Sequence, residues 1–334
     1  MTNETLTAII QRTSRAKLRD VIDVVKDLYH QTETDGDAID SYYKLYDLFD
    51  LVLQQPFLEG MESDFHNITV TCARQDDYDT ACRFLDKGLI QHPECVDLLS
   101  DYLSYGMSCG RSDQCQIIYT RLLERRSAWS WRAYHFSISY LIKAANACPK
   151  DILQLIKEFQ TKYPTREESY LDEADLLNIF PECAEGGQTY LSVLEYATSD
   201  ACPVQRTPKC DLKLADYYYN IGKNLMKAGQ LLERCKRNSV ESQLSVNRNY
   251  VYLLSSLCKM SQYYDVIGNG KSRKVGPQEN EKEALVLDVY EDYHIAALNC
   301  SDSRVQECKK LIETFVRETS VAYPYDDDGI ESSI

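Results

Sequence analysis

The segment GMSCG, residues 106–110, matches the G-x-S-x-G pattern of serine hydrolases. In those enzymes the serine sits on a sharp turn between a strand and a helix, where its hydroxyl can attack a carbonyl. Here Ser108 follows Leu99, Tyr102 and Leu103, whose spacing is that of one face of a helix. We therefore interpret the segment as a helix end punctuated by glycine. A serine nucleophile is the less favoured interpretation.

Thirteen cysteines and five histidines are the other residues that could act as nucleophiles, bases or metal ligands. The cysteines are scattered singly, without the C-x-x-C pairs that are typical of zinc sites. The histidines are far apart along the chain, at His30, His66, His92, His135 and His294. We predict no metal site and no cofactor, and we interpret the cysteines as reduced, packed thiols. A catalytic cysteine stays open as an alternative, because a fold can bring a distant histidine beside it.

The charge balance is strongly acidic, with 37 basic against 52 acidic side chains and a net charge of −15. Such a surface repels a phosphate backbone unless a basic face is segregated from it. Basic residues cluster in two places, at Arg12, Arg15, Lys17 and Arg19 and at Arg121, Arg125 and Arg126. Neither cluster is interleaved with aromatic residues for base stacking. We therefore expect no nucleic acid partner.

The sequence contains no run that approaches the roughly 18 apolar residues of a membrane helix. The first residues, MTNETLTAIIQRTSR, lack the basic start and apolar core of a signal peptide. We therefore expect a cytoplasmic protein with no membrane partner. The sequence gives no basis for predicting an oligomeric state.

Helical periodicity runs through nearly all of the chain, and strand-like alternation is hard to find. From residue 57 the predicted helices become regular, at 61–74, 78–91, 95–108, 111–127, 130–146, 150–162 and 168–179. Short connections between them force antiparallel neighbours, so we predict a stack of helical hairpins. Further helices are predicted at 186–198, 211–228, 240–264, 281–299 and 303–320.

Two polar segments, 199–211 and 268–283, interrupt this pattern, and the chain ends on the acidic stretch YPYDDDGIESSI. We predict that Asp37 caps the second N-terminal helix. The interruptions suggest four parts: N-terminal helices that pack on the array at 1–56, hairpins at 57–198, C-terminal hairpins at 199–323, and an acidic tail at 324–334. The C-terminal hairpins either continue the array or form a second helical subdomain.

The stretch DYDTACRFLDKGLIQHP, residues 77–93, contains the most regular spacing in the chain. Ala81 is a small residue, Leu85 a large one four positions later, Gly88 a small one three later, and Pro93 follows after five. The preceding helix supplies matching residues at Phe65, Ile68 and Thr69, with Cys72 where an aromatic residue is usual. Small residues let paired helices approach, large ones fill the gap, and proline ends the hairpin.

This pattern resembles the tetratricopeptide repeat, with one good copy at about 62–95 and degenerate echoes after it. The resemblance implies an all-α fold, a right-handed α-solenoid of stacked antiparallel helical hairpins. A helical protein without repeats and another kind of helical-hairpin solenoid are the alternatives.

Tetratricopeptide arrays bind extended peptides or partner helices in the groove lined by the first helix of each hairpin. By resemblance, the groove residues are His66, Asn67, Ser100, Asp101 and Ser104. We also expect Arg132, Tyr134 and His135 to contact a partner, because this cluster offers cation–π and hydrogen-bonding groups together. An acidic groove around Asp101 favours a basic or neutral segment.

We therefore expect a non-catalytic adaptor or regulatory subunit that binds a protein or a peptide. One alternative is a peptide-pheromone-type receptor or regulator that acts on a protein target. The other is an enzyme with a cysteine or, less favoured, the Ser108 nucleophile.

Overall fold

The computed structural model describes residues 2–34, 38–144, 147–204, 208–241, 248–268, 279–297 and 303–319. The chain divides into two compact units, Met1–Glu185 and Gly186–Ile334. The predicted cap at Asp37, most of the polar segment 268–283 and the tail 324–334 lie outside the described residues.

The first unit contains ten α-helices within the described residues: α1 (Asn3–Thr13), α2 (Leu18–Thr34), α3 (Ala38–Gln54), α4 (Glu62–Ala73), α5 (Tyr78–Gln91), α6 (Val96–Ser108), α7 (Ser112–Leu123), α8 (Trp131–Lys143), α9 (Pro149–Lys162) and α10 (Glu168–Ile179). Two short parallel strands, β1 (Arg15–Lys17) and β2 (Phe57–Glu59), pair with Ala16 opposite Leu58. The predicted all-α hairpin architecture is confirmed, and the strand pair is an addition to it.

Helices pair as antiparallel hairpins in the order α2–α3, α4–α5, α6–α7 and α8–α9. The first helices also contact one another in sequence, α4 with α6, α6 with α8, and α8 with α10. We call these four helices the first-helix row. One continuous cluster of buried hydrophobic residues extends from Leu6 in α1 to Leu176 in α10.

Local sequence explains where these helices begin and end. The Asp77 carboxylate accepts a hydrogen bond from the Thr80 backbone N–H at 3.1 Å and so caps α5. Ser130 caps α8 in the same way, and Pro149 occupies the first turn of α9, where no N–H is needed. Gly110 has a φ of 76°, a left-handed conformation that glycine adopts without strain, in the turn after α6.

The α4–α5 hairpin places the residues of the repeat pattern at its interface. Phe65, Ile68, Thr69, Ala81 and Leu85 are all fully buried. Gly88 is buried as well, and Pro93 is exposed in the turn between α5 and α6.

In three hairpins, a side chain near the end of the hairpin donates a hydrogen bond to a backbone carbonyl that precedes its first helix. In α4–α5, Gln91 Nε2 donates to the Leu58 carbonyl at 2.6 Å. In α6–α7, Arg121 donates to the Pro93 carbonyl. In α8–α9, Tyr163 Oη donates to the Trp129 carbonyl at 3.0 Å. The three bonds have different donors but the same kind of acceptor, and they span 33, 28 and 34 residues.

The second unit contains α11 (Tyr190–Ala197), α12 (Pro208–Asn220), α13 (Leu225–Glu241), α14 (Arg248–Gly268), α15 (Glu279–Ala297) and α16 (Ser303–Glu318). Its hairpins are α12–α13 and α14–α15. Contacts again link residues about one hairpin apart, such as Ser256 Oγ to the Val289 carbonyl, 33 residues on. A buried ion pair joins the Lys236 Nζ of α13 to Asp292 of α15 at 2.7 Å.

The helix predicted at 211–228 is wrong, because the chain turns at residues 221–224. The N–H groups of Ile221 and Gly222 both donate to the Tyr217 carbonyl, which ends α12, and Lys223 has a φ of 48°. The Asn224 side chain then accepts from the Lys227 N–H at 3.1 Å and starts α13. Gly222 therefore lies in the turn between α12 and α13.

Candidate functional site

Three side chains from three successive hairpins meet on the first-helix row. His66 of α4 donates from Nδ1 to Asp101 Oδ2 of α6 at 2.6 Å. Arg132 of α8 donates from Nη2 to Asp101 Oδ1. The Asp101 side chain is fully buried, while His66 and Arg132 are 29% and 21% exposed. We call this group the inner cluster; its two basic side chains cover the carboxylate and form the surface.

The contacts of His66 determine its tautomer. Its Nε2 lies 3.0 Å from Arg132 Nη1, and a guanidinium can only donate. Nε2 must therefore accept, so the ring proton is on Nδ1 and points at Asp101. The imidazole is neutral in this arrangement, and the charges of Asp101 and Arg132 balance. The cluster thus presents oriented hydrogen-bonding groups rather than a net charge.

Tyr105 lies one turn beyond Asp101 on α6. Burial raises the pKa of its phenol, and the charge of Asp101 raises it further. Its ring lies 6.1 Å from that of Tyr78 in α5, measured between centroids. Tyr105 therefore stays a protonated donor beside the inner cluster.

A second histidine–aspartate pair links α8 to α10. His135 Nδ1 lies 2.9 Å from Asp172 Oδ1, and the Asp172 side chain is almost fully buried. Burial raises the pKa of Asp172, and Asp175 and Glu168 add to that effect, whereas His135 opposes it. The spacing of 37 residues nearly repeats the 35 between His66 and Asp101.

Other predicted groove residues differ in their exposure. Asn67 is exposed and Ser104 is half-buried on the same row. Ser100 is fully buried, and its hydroxyl donates to the Val96 carbonyl at 2.6 Å. The expected groove contact of Ser100 is therefore wrong, because this side of α6 faces the core.

Tyr134 is also part of the core and does not line the groove. Its ring stacks on Phe159 at a centroid distance of 5.5 Å and meets Trp129 edge-on at 5.1 Å. Trp129 in turn donates from Nε1 to the Leu122 carbonyl at 2.7 Å. The expectation that Tyr134 contacts a partner is corrected, because it fills the α8–α9 interface.

The expected acidic groove at Asp101 is likewise corrected. A carboxylate attracts a basic segment only where its charge reaches the surface. Arg132 and His66 cover the Asp101 carboxylate on its open side, and the charge of Arg132 neutralises it.

Ser108 and the buried thiols of Cys72, Cys82 and Cys115 lack the settings of activated nucleophiles. Ser108 ends α6, and its hydroxyl donates to the Ser104 carbonyl at 3.3 Å, as the interpretation of a helix end predicts. Burial raises the pKa of Cys72 and Cys82, and raises that of Cys115 to about 11. A catalytic thiol needs its pKa lowered instead.

Asp172 and Tyr105 were not among the residues predicted for the site. A signal was present for Asp172, because a histidine followed by an aspartate 35 to 37 residues later occurs twice. Among the described residues, no group of three or more His, Cys, Asp or Glu is placed to hold a metal ion. Nor does any described helix have the length and apolar character needed to cross a bilayer.

No protein-family model matches the sequence, and no curated protein is similar to it. Among solved structures, a tetratricopeptide repeat protein from Parabacteroides merdae is 16% identical with a TM-score of 0.46, over 89% of this chain and 98% of the other. Human IFIT1, as a dimer with m7Gppp-AAAA, is 13% identical with a TM-score of 0.42, over 89% of this chain and 62% of the other. A monomeric mutant of IFIT1 with Gppp-AAAA is 13% identical with a TM-score of 0.43, over 90% and 64%. This chain therefore spans less than two thirds of those IFIT1 chains.

The matches to IFIT1 contradict the prediction that excluded nucleic acid, because those helical structures contain capped oligonucleotides. Net charge is a sum over the whole surface, whereas a ligand meets only the groups of one site. The acidic balance of this chain therefore does not exclude a nucleic acid.

Helical hairpins recur in this chain with contacts about 34 residues apart, and small residues allow their helices to approach closely. The chain has an all-α, tetratricopeptide-like helical-repeat fold.

Proposed function

We propose that this chain is a non-catalytic adaptor or regulatory subunit that binds an extended segment of a partner protein along the first-helix row. The observation that carries the proposal is the inner cluster, in which three hairpins bring His66, Asp101 and Arg132 together. Asp101 holds the other two side chains in fixed orientations. Little further side-chain entropy is lost when they meet a partner, which favours binding.

The chemistry of the row suggests a segment that accepts hydrogen bonds. The guanidinium of Arg132 offers only donors, and the exposed amide of Asn67 offers donors and an acceptor. Asp101 neutralises the charge of Arg132, so net charge contributes little to the choice of partner. Main-chain carbonyls and carboxamide side chains of an extended segment fit these donors.

An apolar surface lies beside the donors. Phe136 is half-buried one turn along α8, and the Arg132 guanidinium lies 5.8 Å from its ring centroid. A partner side chain that packs on Phe136 would bury apolar area next to the polar contacts. This combination is common in peptide-binding grooves.

Site-specific crosslinking tests the proposal. A photo-reactive amino acid at Asn67 is expected to capture one protein in stoichiometric amounts from native extract. The same group at Gln116, which is exposed on the second helix α7, is the matched control and should capture none. Equal capture at both positions would contradict binding along the row. Capture of a nucleic acid at Asn67 would contradict the proposal that the partner is a protein.

Two variants then test the contacts. Arg132→Ala is expected to weaken the captured complex at least tenfold, equivalent to about 1.4 kcal/mol. Arg83→Ala removes an exposed arginine of α5 that pairs with Asp50 and should leave binding unchanged. Because Arg132 also supports the fold, Asn67→Arg is the second test: it obstructs the row without removing a buried contact. Unchanged affinity in both row variants would sink the proposal.

A further inference from the structure

Two cysteine thiols from neighbouring hairpins are in contact in the first unit. Cys82 lies within α5 and Cys109 follows the last residue of α6. Their Sγ atoms are 3.6 Å apart, and neither is part of a disulfide. A disulfide bond of about 2.05 Å would require the sulfurs to approach by only about 1.5 Å.

The two thiols differ in their access to solvent. Cys82 is fully buried, whereas Cys109 is half-buried. Burial and the neighbouring Cys109 raise the pKa of Cys82, although the Arg111 guanidinium acts in the opposite direction. A reagent from solvent therefore meets Cys109 first.

The position of Cys109 in the chain allows the necessary movement. It caps the end of α6 and is followed by Gly110, whose backbone is left-handed. Cys109 is thus at a turn, where the backbone can shift more easily than inside a helix. Cys82, in the middle of α5, supplies the fixed side of the pair.

We propose that Cys82 and Cys109 form a reversible disulfide site that small-molecule disulfides close. Cys109 loses its proton to water and attacks one sulfur of the small disulfide, whose other sulfur leaves as a thiolate. Cys82 then loses its proton and attacks Cys109 Sγ, which forms the protein disulfide and releases the second thiolate. Two protein thiols are oxidised, and one small disulfide is reduced to two thiols.

The bond would join α5 of one hairpin to the end of α6 in the next. It closes a loop of 27 residues and so restricts the unfolded chain. The oxidised protein should therefore unfold at a higher temperature than the reduced protein.

Peptide mapping of the full chain tests the site. After removal of reductant, incubation with oxidised glutathione is expected to give the Cys82–Cys109 disulfide as the main internal product. Cys82→Ser should leave a lasting glutathione adduct on Cys109, and Cys109→Ser should leave Cys82 unmodified. The exposed Cys148 is the internal control, since it should react with glutathione in all three proteins. Absence of the Cys82–Cys109 bond in wild-type protein whose Cys148 is fully modified would overturn the site.

Thermal unfolding supplies a second readout that needs no variant. The midpoint should rise on oxidation and return to its initial value after treatment with dithiothreitol. A midpoint that does not rise in fully cross-linked protein would show that the bond does not join two parts of the fold. Equal Cys109 adduct in wild type and in folded Cys82→Ser would show that Cys82 does not resolve the adduct.

Discussion

Gly88 of α5 lies against the ring of Phe65 in α4, so closely that a Cβ atom on Gly88 would be 2.9 Å from Phe65 Cγ. Real Cβ atoms do not approach ring carbons this closely, so only glycine fits without a shift. The contact sets the separation of the two helices of this hairpin. It also explains why the small residue of the repeat pattern is needed at this position.

Gly88→Ala is expected to lower the free energy of unfolding by about 1–2 kcal/mol, because overpacking outweighs the gain in helix propensity. Gly229→Ala in α13 is the matched control. A Cβ there would be 3.4 Å from the flexible Gln262 side chain, so that variant should be neutral or slightly more stable. Chemical denaturation measures both, and equal effects would contradict the close approach.

Arg132→Met is expected to destabilise the first unit by about 3–5 kcal/mol, because the buried Asp101 carboxylate loses its cationic partner. Adding Asp101→Leu should recover most of that loss, since the double variant buries no charge. Denaturant unfolding of the single and double variants gives the coupling energy. If the losses of Arg132→Met and Asp101→Leu simply add in the double variant, Asp101 and Arg132 are not coupled as the geometry requires.

Stability should fall as the pH rises from about 9 to 11. Burial raises the pKa of Cys115 to about 11, whereas the unfolded thiol ionises near its usual value of 9.0. Between these values the unfolded state releases a proton that the folded state keeps, so alkaline pH favours unfolding. Each such group contributes at most about 1.4 kcal/mol per pH unit. Cys115→Ala should make the slope shallower, and an identical slope would contradict this assignment.

Asp172→Asn should gain stability relative to the wild type as the pH rises above 3.8, the ordinary pKa of the carboxyl group. Because the pKa of Asp172 is raised, the fold favours its protonated form. The unfolded carboxyl ionises above pH 3.8, and the free energy of unfolding of the wild type then falls. His135, Asp175 and Glu168 are the charged neighbours, and the variant keeps all of them. Denaturation at several pH values measures the difference between the two proteins. A difference that does not change with pH would contradict the burial effect.

The two tryptophans should respond differently to replacement by phenylalanine. Trp129→Phe removes a buried indole and leaves the Leu122 carbonyl without its donor, at a cost of about 2–3 kcal/mol. Trp131→Phe keeps an aromatic ring beside Arg166, so we expect a change of less than about 1 kcal/mol. Thermal unfolding with fluorescence detection measures both variants. Equal destabilisation would show that Trp129 is not the residue that packs the hairpin.

Short-range spacing in the sequence was enough to predict the hairpins. Ala81, Leu85 and Gly88 lie on one helical face, and the close packing of paired helices depends mainly on such local positions. Hydrophobic spacing did not predict the turn at residues 221–224, because this turn depends on the Lys223 backbone and the Asn224 cap.

Only the tertiary structure decided which polar residues meet. His66 and Asp101 are 35 residues apart, and Asp101 and Arg132 are 31 apart. Their contact depends on the register of three stacked hairpins. Ser100 lies next to Asp101 in sequence, yet it faces the core while Asp101 faces the row. The sequence therefore determines the hairpin, because its packing is local, whereas the stacking of hairpins determines the site, because its contacts are not.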